Sequence, residues 1–260
     1  MLEFQEIEKF YPEPLRRHKR FLLREYLQCK ILQILFESEY ASKFSFLGGT
    51  CLRIVHGNNR FSEDLDFDNF QLEEKSFEQV GSRIEKELSR EGYSVEMKTV
   101  LKGAYHCHIR FPEILYREGL SGHMEEKILI QLDTQPQNFP FKPDRFLLNR
   151  FDIFTQILVT PKELLLAQKF YAVLNRKRSQ GRDFFDLVFL LSLTDRPDYG
   201  FLDMKLGITH PDVLKTAILE KCNTIDMEKM ARDVTPFLFR HEDVKKVSQF
   251  VPYLKQFPLK

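Results

Sequence analysis

The sequence predicts an α+β protein, with a mixed-sheet core in its N-terminal part and a helical bundle after it. Three observations carry that expectation. Strand-like and helix-like segments interleave over the first 135 residues. Pro136, Pro140 and Pro143 then cluster where the composition shifts. From Thr160 onward apolar residues recur at helical spacing. The expected domains are residues 1–155 and 156–260.

Taken in order, Pro14 to Glu39 reads as a helix, because Leu23, Leu27, Ile31, Ile34 and Leu35 recur three and four apart without internal Gly or Pro. Phe44 to Leu47 reads as a short strand ending at Gly48-Gly49, and Thr50 to His56 returns to helical spacing. Leu65 to Phe70 alternates polar and apolar, which sets its aspartates on one strand face. A helix over Glu73–Arg90 and strands over Tyr93–Val100, Ala104–Phe111 and Glu126–Asp133 follow. Gln135 to Asn149 reads as a loop or linker. Thr160-Pro161-Lys162-Glu163 has the chemistry of a helix start, with Thr160 as cap, for a helix to about Arg178. A second runs from Arg182 to about Leu193, and weaker ones begin at Pro211, Asp226 and Glu242.

Composition fits an ordinary globular chain: 43% of the 260 residues are hydrophobic and 30% charged, which excludes disorder, collagen and coiled coil. With 25 Phe, nine Tyr and no Trp, the core must be Phe-rich. The formal charge of +1 gives no overall pull on polyanions, so any such partner needs a local stripe. Two are present: Arg16, Arg17, Lys19, Arg20 and Arg24, and the six basic residues from Lys162 to Arg182. A solvated helix face is the commoner reading of the first, and a solvated helix end is the alternative for the second. Cys29, Cys51, Cys107 and Cys222 show neither disulfide nor zinc-finger spacing. The acidic start lacks a signal-peptide core, and the longest apolar run, Leu187–Leu191, falls far short of the ~20 residues a bilayer span needs. The expectation is a cytoplasmic protein without membrane contact.

Phe46 to Asp68 is the most informative stretch. Gly48-Gly49 between strand and helix lets backbone N–H groups face a phosphate, with the Thr50 hydroxyl beside them; a plain tight turn is the alternative. Asp64 and Asp66 lie two apart on a strand, close enough to share a divalent cation, and Asp68 would continue the row. Oxygen-only ligands select a hard ion such as Mg2+ or Mn2+. Asp133 ends another alternating strand and could join the pair or simply form a turn. His106-Cys107-His108 lacks a second ligand pair for zinc. P-loop, dinucleotide and nucleophile-elbow motifs are absent from the sequence.

Gly48-Gly49-Thr50-Cys51-Leu52-Arg53 and Arg60-Phe61-Ser62-Glu63-Asp64-Leu65-Asp66-Phe67 closely resemble the motif of the AbiEii/AbiGii nucleotidyltransferases of abortive-infection and toxin–antitoxin systems, within the polymerase β-like superfamily. Lys169-Phe-Tyr-Ala172 and Arg182-Asp183-Phe-Phe-Asp186-Leu187 resemble its later elements more loosely. The resemblance implies a polymerase β-like core and transfer of an NMP from an NTP to a hydroxyl, with Asp64, Asp66 and Asp133 on the metal and Gly48, Gly49 and Thr50 around the phosphates. Lys169 would offset charge on pyrophosphate, and Arg60 and Ser62 would support the NTP-binding stretch. It points Asp183 to the site, whereas Asp186 suits a structural pairing with Arg176, Arg178 or Arg182. It further implies a toxin acting on the tRNA 3′ end, with a cognate antitoxin encoded by a neighbouring gene. Nucleotidylation of a protein or small-molecule hydroxyl, and an inactive nucleotide- or RNA-binding module, are the alternatives.

Overall fold

In a computed structural model, which describes residues 2–260, the chain forms two compact units. The first comprises Met1–Val55, Ser62–Asn138 and Pro143–Val159; the second comprises His56–Phe61, Phe139–Lys142 and Thr160–Lys260. The two short excursions, 56–61 and 139–142, carry no sequence signal for the unit they join.

The first unit contains helices α1 (Phe4–Ile7), α2 (Lys19–Phe36), α3 (Gly48–Ile54), α4 (Glu74–Arg90) and α5 (Ile114–Arg117). Its strands are β1 (Phe44–Leu47), β2 (Leu65–Asn69), β3 (Glu96–Lys102), β4 (Ala104–Phe111), β5 (Ile128–Thr134), β6 (Asp144–Arg150) and β7 (Ile153–Val159). They form one mixed sheet in the order β3-β4-β5-β2-β1-β7-β6, with β2 parallel to β5 and β1 parallel to β7. The other neighbours are antiparallel.

Strand alternation divides the sheet into two faces. Leu65, Phe67, Ile130 and Leu132 are buried on one, where Phe67 meets Phe36 of α2 with ring centroids 6.3 Å apart. Phe77 of α4 packs on Tyr105 of β4 at 5.4 Å, on the same side. Phe44, Phe46 and Phe67 touch edge-on or tilted at 5.4–5.6 Å, which is the aromatic core that the composition demanded. Asp66, Asp133 and His106 alternate onto the opposite face and stay partly exposed.

Helix α2 is buried nearly all round and must satisfy the polar groups it carries inward. Glu25 is paired with Arg53 at 2.8 Å and Arg150 at 2.6 Å. Burial opposes its ionisation, but the two guanidinium groups outweigh that and hold its carboxyl below the usual range.

The expected loop over 135–149 is corrected in part, because β6 begins at Asp144 and forms a hairpin with β7. Strand β6 is an edge strand with only Leu148 fully buried, so its alternation is faint in sequence. Strand β7 alternates cleanly, burying Ile153, Thr155, Ile157 and Val159.

The second unit is helical: α6 (Lys162–Asn175), α7 (Gly181–Leu191), α8 (Tyr199–Leu206), α9 (Pro211–Cys222), α10 (Met227–Val234), α11 (Lys245–Ser248) and α12 (Phe250–Gln256). Thr160 is not the cap of α6; Pro161 occupies that position, without a side-chain cap bond, and the helix stops at Asn175 before three exposed basic residues, Arg176, Lys177 and Arg178. Helix α8, capped by Asp198 through the Phe201 amide, had no counterpart among the expected elements.

Candidate active site

Strand register brings the predicted acids together. Leu47 of β1 lies opposite Asp66 of β2, Asp66 opposite Asp133 of β5, and Asp133 opposite His106 of β4. These residues form one row across four adjacent strands. The Asp133 Oδ1 is 2.8 Å from His106 Nδ1. Asp64 sits just before β2 and its Oδ1 accepts a long bond, 3.4 Å, from the Gln131 amide. Asp64, Asp66 and Asp133 therefore occupy neighbouring positions on the open face, although Asp133 is more than sixty residues from the other two in the chain.

The glycine turn closes against this row. Gly48 has φ +79°, and a Cβ built there would lie 2.2 Å from Asp66 Oδ2. Only glycine fits, because the left-handed backbone and the nearby carboxylate exclude any side chain. Gly49 is buried at the first turn of α3. Thr50 is fully buried, and its hydroxyl donates to the backbone carbonyl of Asp64, tying α3 to the aspartate segment. That hydroxyl is spent inside the unit and does not face a ligand, which corrects its expected place beside the glycine N–H groups.

Helix α2 supports the same segment from the other side. Gln28 Nε2 donates to the carbonyls of Ser62, at 3.2 Å, and Glu63, at 2.8 Å, while Arg24 pairs with Glu63 at 2.8 Å. Ser62 thus lies in the backbone stretch that α2 holds. Asp68 departs from the expected row: it is buried, and its Oδ1 accepts from the Gln137 amide at 2.9 Å.

Arg60 is a second correction. It folds with the helical unit, 2% exposed, and grips Asp186 through Nε at 2.7 Å and the second terminal nitrogen at 2.6 Å. Asn58 donates to the same carboxylate at 2.9 Å. Lys169 Nζ lies 3.0 Å from Asp183 Oδ1 and 2.8 Å from Asp186 Oδ2, and Arg176 approaches Asp183 at 3.3 Å. The anion that the buried lysine needs is therefore this pair of aspartates. Arg182 instead covers the Phe237 ring at 4.6 Å.

Burial disfavours the charged forms in this cluster, but mutual attraction prevails. The guanidinium of Arg60 and the ammonium of Lys169 hold the Asp186 carboxyl at about 2, and Asp186 and Asp183 in turn raise Lys169 above the ordinary lysine value.

No three His, Cys, Asp or Glu side chains among the described residues are gathered tightly enough to close round an ion. Asp64, Asp66 and Asp133 are neighbours in register, with the hard oxygen donors that suit a divalent cation and with the space beside Asp66 kept clear by Gly48. The residues fit such an ion on donor chemistry. A surface cavity of about 890 Å³ lies elsewhere, lined by Phe4, Lys9, Lys19 and Arg117, and one of about 410 Å³ is lined by Arg17, His18, Lys19 and Arg20. None of the sheet acids borders either cavity.

A mixed sheet with facing acids on neighbouring parallel strands and a glycine turn packed against them is the layout expected of a nucleotidyltransferase. The family model described as the AbiEii nucleotidyl transferase toxin of type IV toxin–antitoxin systems matches residues 30–238, and the chain belongs to that family. Membership makes it a toxin nucleotidyltransferase and implies an NTP substrate, an antitoxin partner and the divalent metal ions that such enzymes generally use. Comparison with curated proteins gives no match.

Among solved structures, the chain resembles MenT4, a nucleotidyltransferase toxin from Mycobacterium tuberculosis H37Rv. The TM-score is 0.58 at 16% identity, covering 99% of this chain and 91% of that one. It also resembles JHP933 from Helicobacter pylori, with TM-score 0.56 at 17% identity, covering 90% and 91%. These are likenesses of fold. No helix among the described residues is long and apolar enough to cross a membrane.

Proposed function

We propose that the protein transfers a nucleoside monophosphate from an NTP to a hydroxyl at the tRNA 3′ end in a Mg2+-dependent reaction, Mn2+ being the natural substitute. The observation that supports this most is the direct opposition of Asp66 and Asp133 on β2 and β5, with Gly48 against Asp66. Asp64, Asp66 and Asp133 would hold the ion, which when bound lowers the pKa of the acceptor hydroxyl and offsets triphosphate charge.

The acceptor oxygen forms its bond to the α-phosphorus as the bond to pyrophosphate breaks. Asp133, oriented by His106, takes the hydroxyl proton. The backbone N–H groups of Gly48 and Gly49 bind phosphate oxygens, and Thr50 and Ser62 act from behind by holding the segment that carries Asp64. The resemblance also assigns Lys169 and Asp183 to the chemistry. Asp183 and Asp186 keep that lysine protonated.

Incubation with Mg2+, each labelled NTP and total RNA should label RNA in the tRNA size range. Label on protein alone would overturn the tRNA acceptor while leaving the transferase. Asp64→Ala should abolish transfer from a folded protein; full retained activity would overturn the metal assignment.

A further inference from the structure

We propose that the open face of the β3–β4 ribbon is the track on which the acceptor's phosphate backbone lies as its terminal hydroxyl reaches the acids, an inference that rests on the nucleic-acid acceptor above. Register places the pieces. Lys98 is opposite His108, Val100 opposite His106 and Lys102 opposite Ala104, while Arg110 lies one position beyond His108 on the same face. His108 is in turn opposite Gln131, and His106 opposite Asp133.

The covered face is taken by the intervening residues. Cys107, Thr99 and Met97 lie within 4.0 Å of a Cβ built on Gly81 of α4. Lys98, His106, His108 and Arg110 must therefore point the other way, onto the face of Asp66 and Asp133.

Three cations here form no ion pair, and Glu96, which stands opposite Arg110 on the same face, is held by Lys127. Lys98 and Lys102 are exposed, Arg110 is half-buried, and none has an ion partner among the described residues. This contrasts with Arg20, Arg24 and Lys127 of the same unit, each closed on a glutamate. His108 Nδ1 is shut from solvent without a hydrogen-bond partner, a polar atom unspent on the same face. Opposed residues on one face stand roughly 5 Å apart and successive ones along a strand roughly 7 Å apart. The positive groups, with Val100 between Lys98 and Lys102, thus share the face that leads to His106 and Asp133. Cations without ion partners, on the face that holds the acids and out to the sheet edge, suit a polyanion that must present one end to those acids.

The test compares two double variants of the full chain. Lys98→Gln/Lys102→Gln removes two charges from the track; Lys75→Gln/Lys86→Gln removes two exposed charges from α4, on the covered side. Binding of labelled tRNA is measured across a salt series, with thermal melting to verify folding. The track variant should bind about tenfold more weakly, and its log–log salt slope should fall by about 1.5, two phosphate contacts at ~0.7–0.9 each. The α4 variant should match the unaltered protein.

Equal weakening by both pairs, an unchanged slope in the track variant, or no tRNA binding by the unaltered protein would each overturn the track. So would weakened binding of an acidic polypeptide in place of tRNA. Failure of the transferase reading is separate, since it is read by Asp64→Ala in the transfer assay.

Discussion

Two pairs of aspartates, one in each unit, carry the same side chains and are opposite in physics. Asp183 and Asp186 are buried, and the chain itself supplies their cations from Lys169, Arg60 and Arg176. Asp66 and Asp133 are partly exposed, face each other across two parallel strands, and Asp133 lies within hydrogen-bond distance of the His106 imidazole. Crowded carboxylates repel unless something positive joins them. In the helical unit that need is met within the fold, so the cluster is a lock. On the sheet the acids stay partly exposed, where a cation and a substrate can reach them.

The largest expected effect would come from breaking the sheet pair. Asp66→Ala should lower NMP transfer by at least about 1,000-fold, equivalent to about 4 kcal/mol of barrier, with little change in melting temperature. Substantial activity in that variant would remove the distinction between the two pairs. Asp186→Ala should do the reverse and act on stability. It strands Arg60 as an uncompensated buried charge and leaves Lys169 with Asp183 alone, and denaturant unfolding should show a loss of about 3–5 kcal/mol. If that variant unfolds like the parent, the cluster is not a lock.

Smaller substitutions sharpen the comparison. Gly48→Ala would place a methyl 2.2 Å from Asp66 Oδ2 in a left-handed backbone, so transfer should fall sharply while stability falls by about 1–3 kcal/mol. His106→Ala frees the Asp133 carboxylate, and a 10–100-fold drop in kcat with an unchanged KM for NTP is expected. His106→Asn, which can still donate to Asp133, should recover part of that drop. A KM change alone would show that His106 touches the nucleotide and does not position the acid.

The legibility of this site in the sequence follows from distance along the chain. The strand, glycine turn and helix over 44–54 and the alternating aspartates at 64–68 are local patterns, so periodicity and glycine chemistry reveal them. That Asp133 stands opposite Asp66 depends on which strands neighbour one another, and alternation cannot supply the sheet order. His106 was visible as an imidazole on a strand face, yet its partner belongs to the next strand. Arg60 misled because its carboxylate lies 126 residues away and the motif around it suggested a local task. The β6 edge strand escaped because an exposed edge buries too little to leave a regular pattern.

Acid titration gives the gentlest probe of the same contrast. The Asp186 carboxyl, held at about 2 in the fold against roughly 3.9 when unfolded, contributes stability that is complete above pH ~4 and lost as pH falls towards 2. The contribution is on the order of 2 kcal/mol, from about 1.4 kcal/mol per unit. Asp186→Asn cannot titrate, so its unfolding free energy should change less than the parent's over that interval, although it starts lower. The comparison needs both proteins measured by denaturant at pH 5, 4, 3 and 2.5. Parallel curves would mean that the acid sensitivity arises in other carboxylates and that the lock is not held by charge.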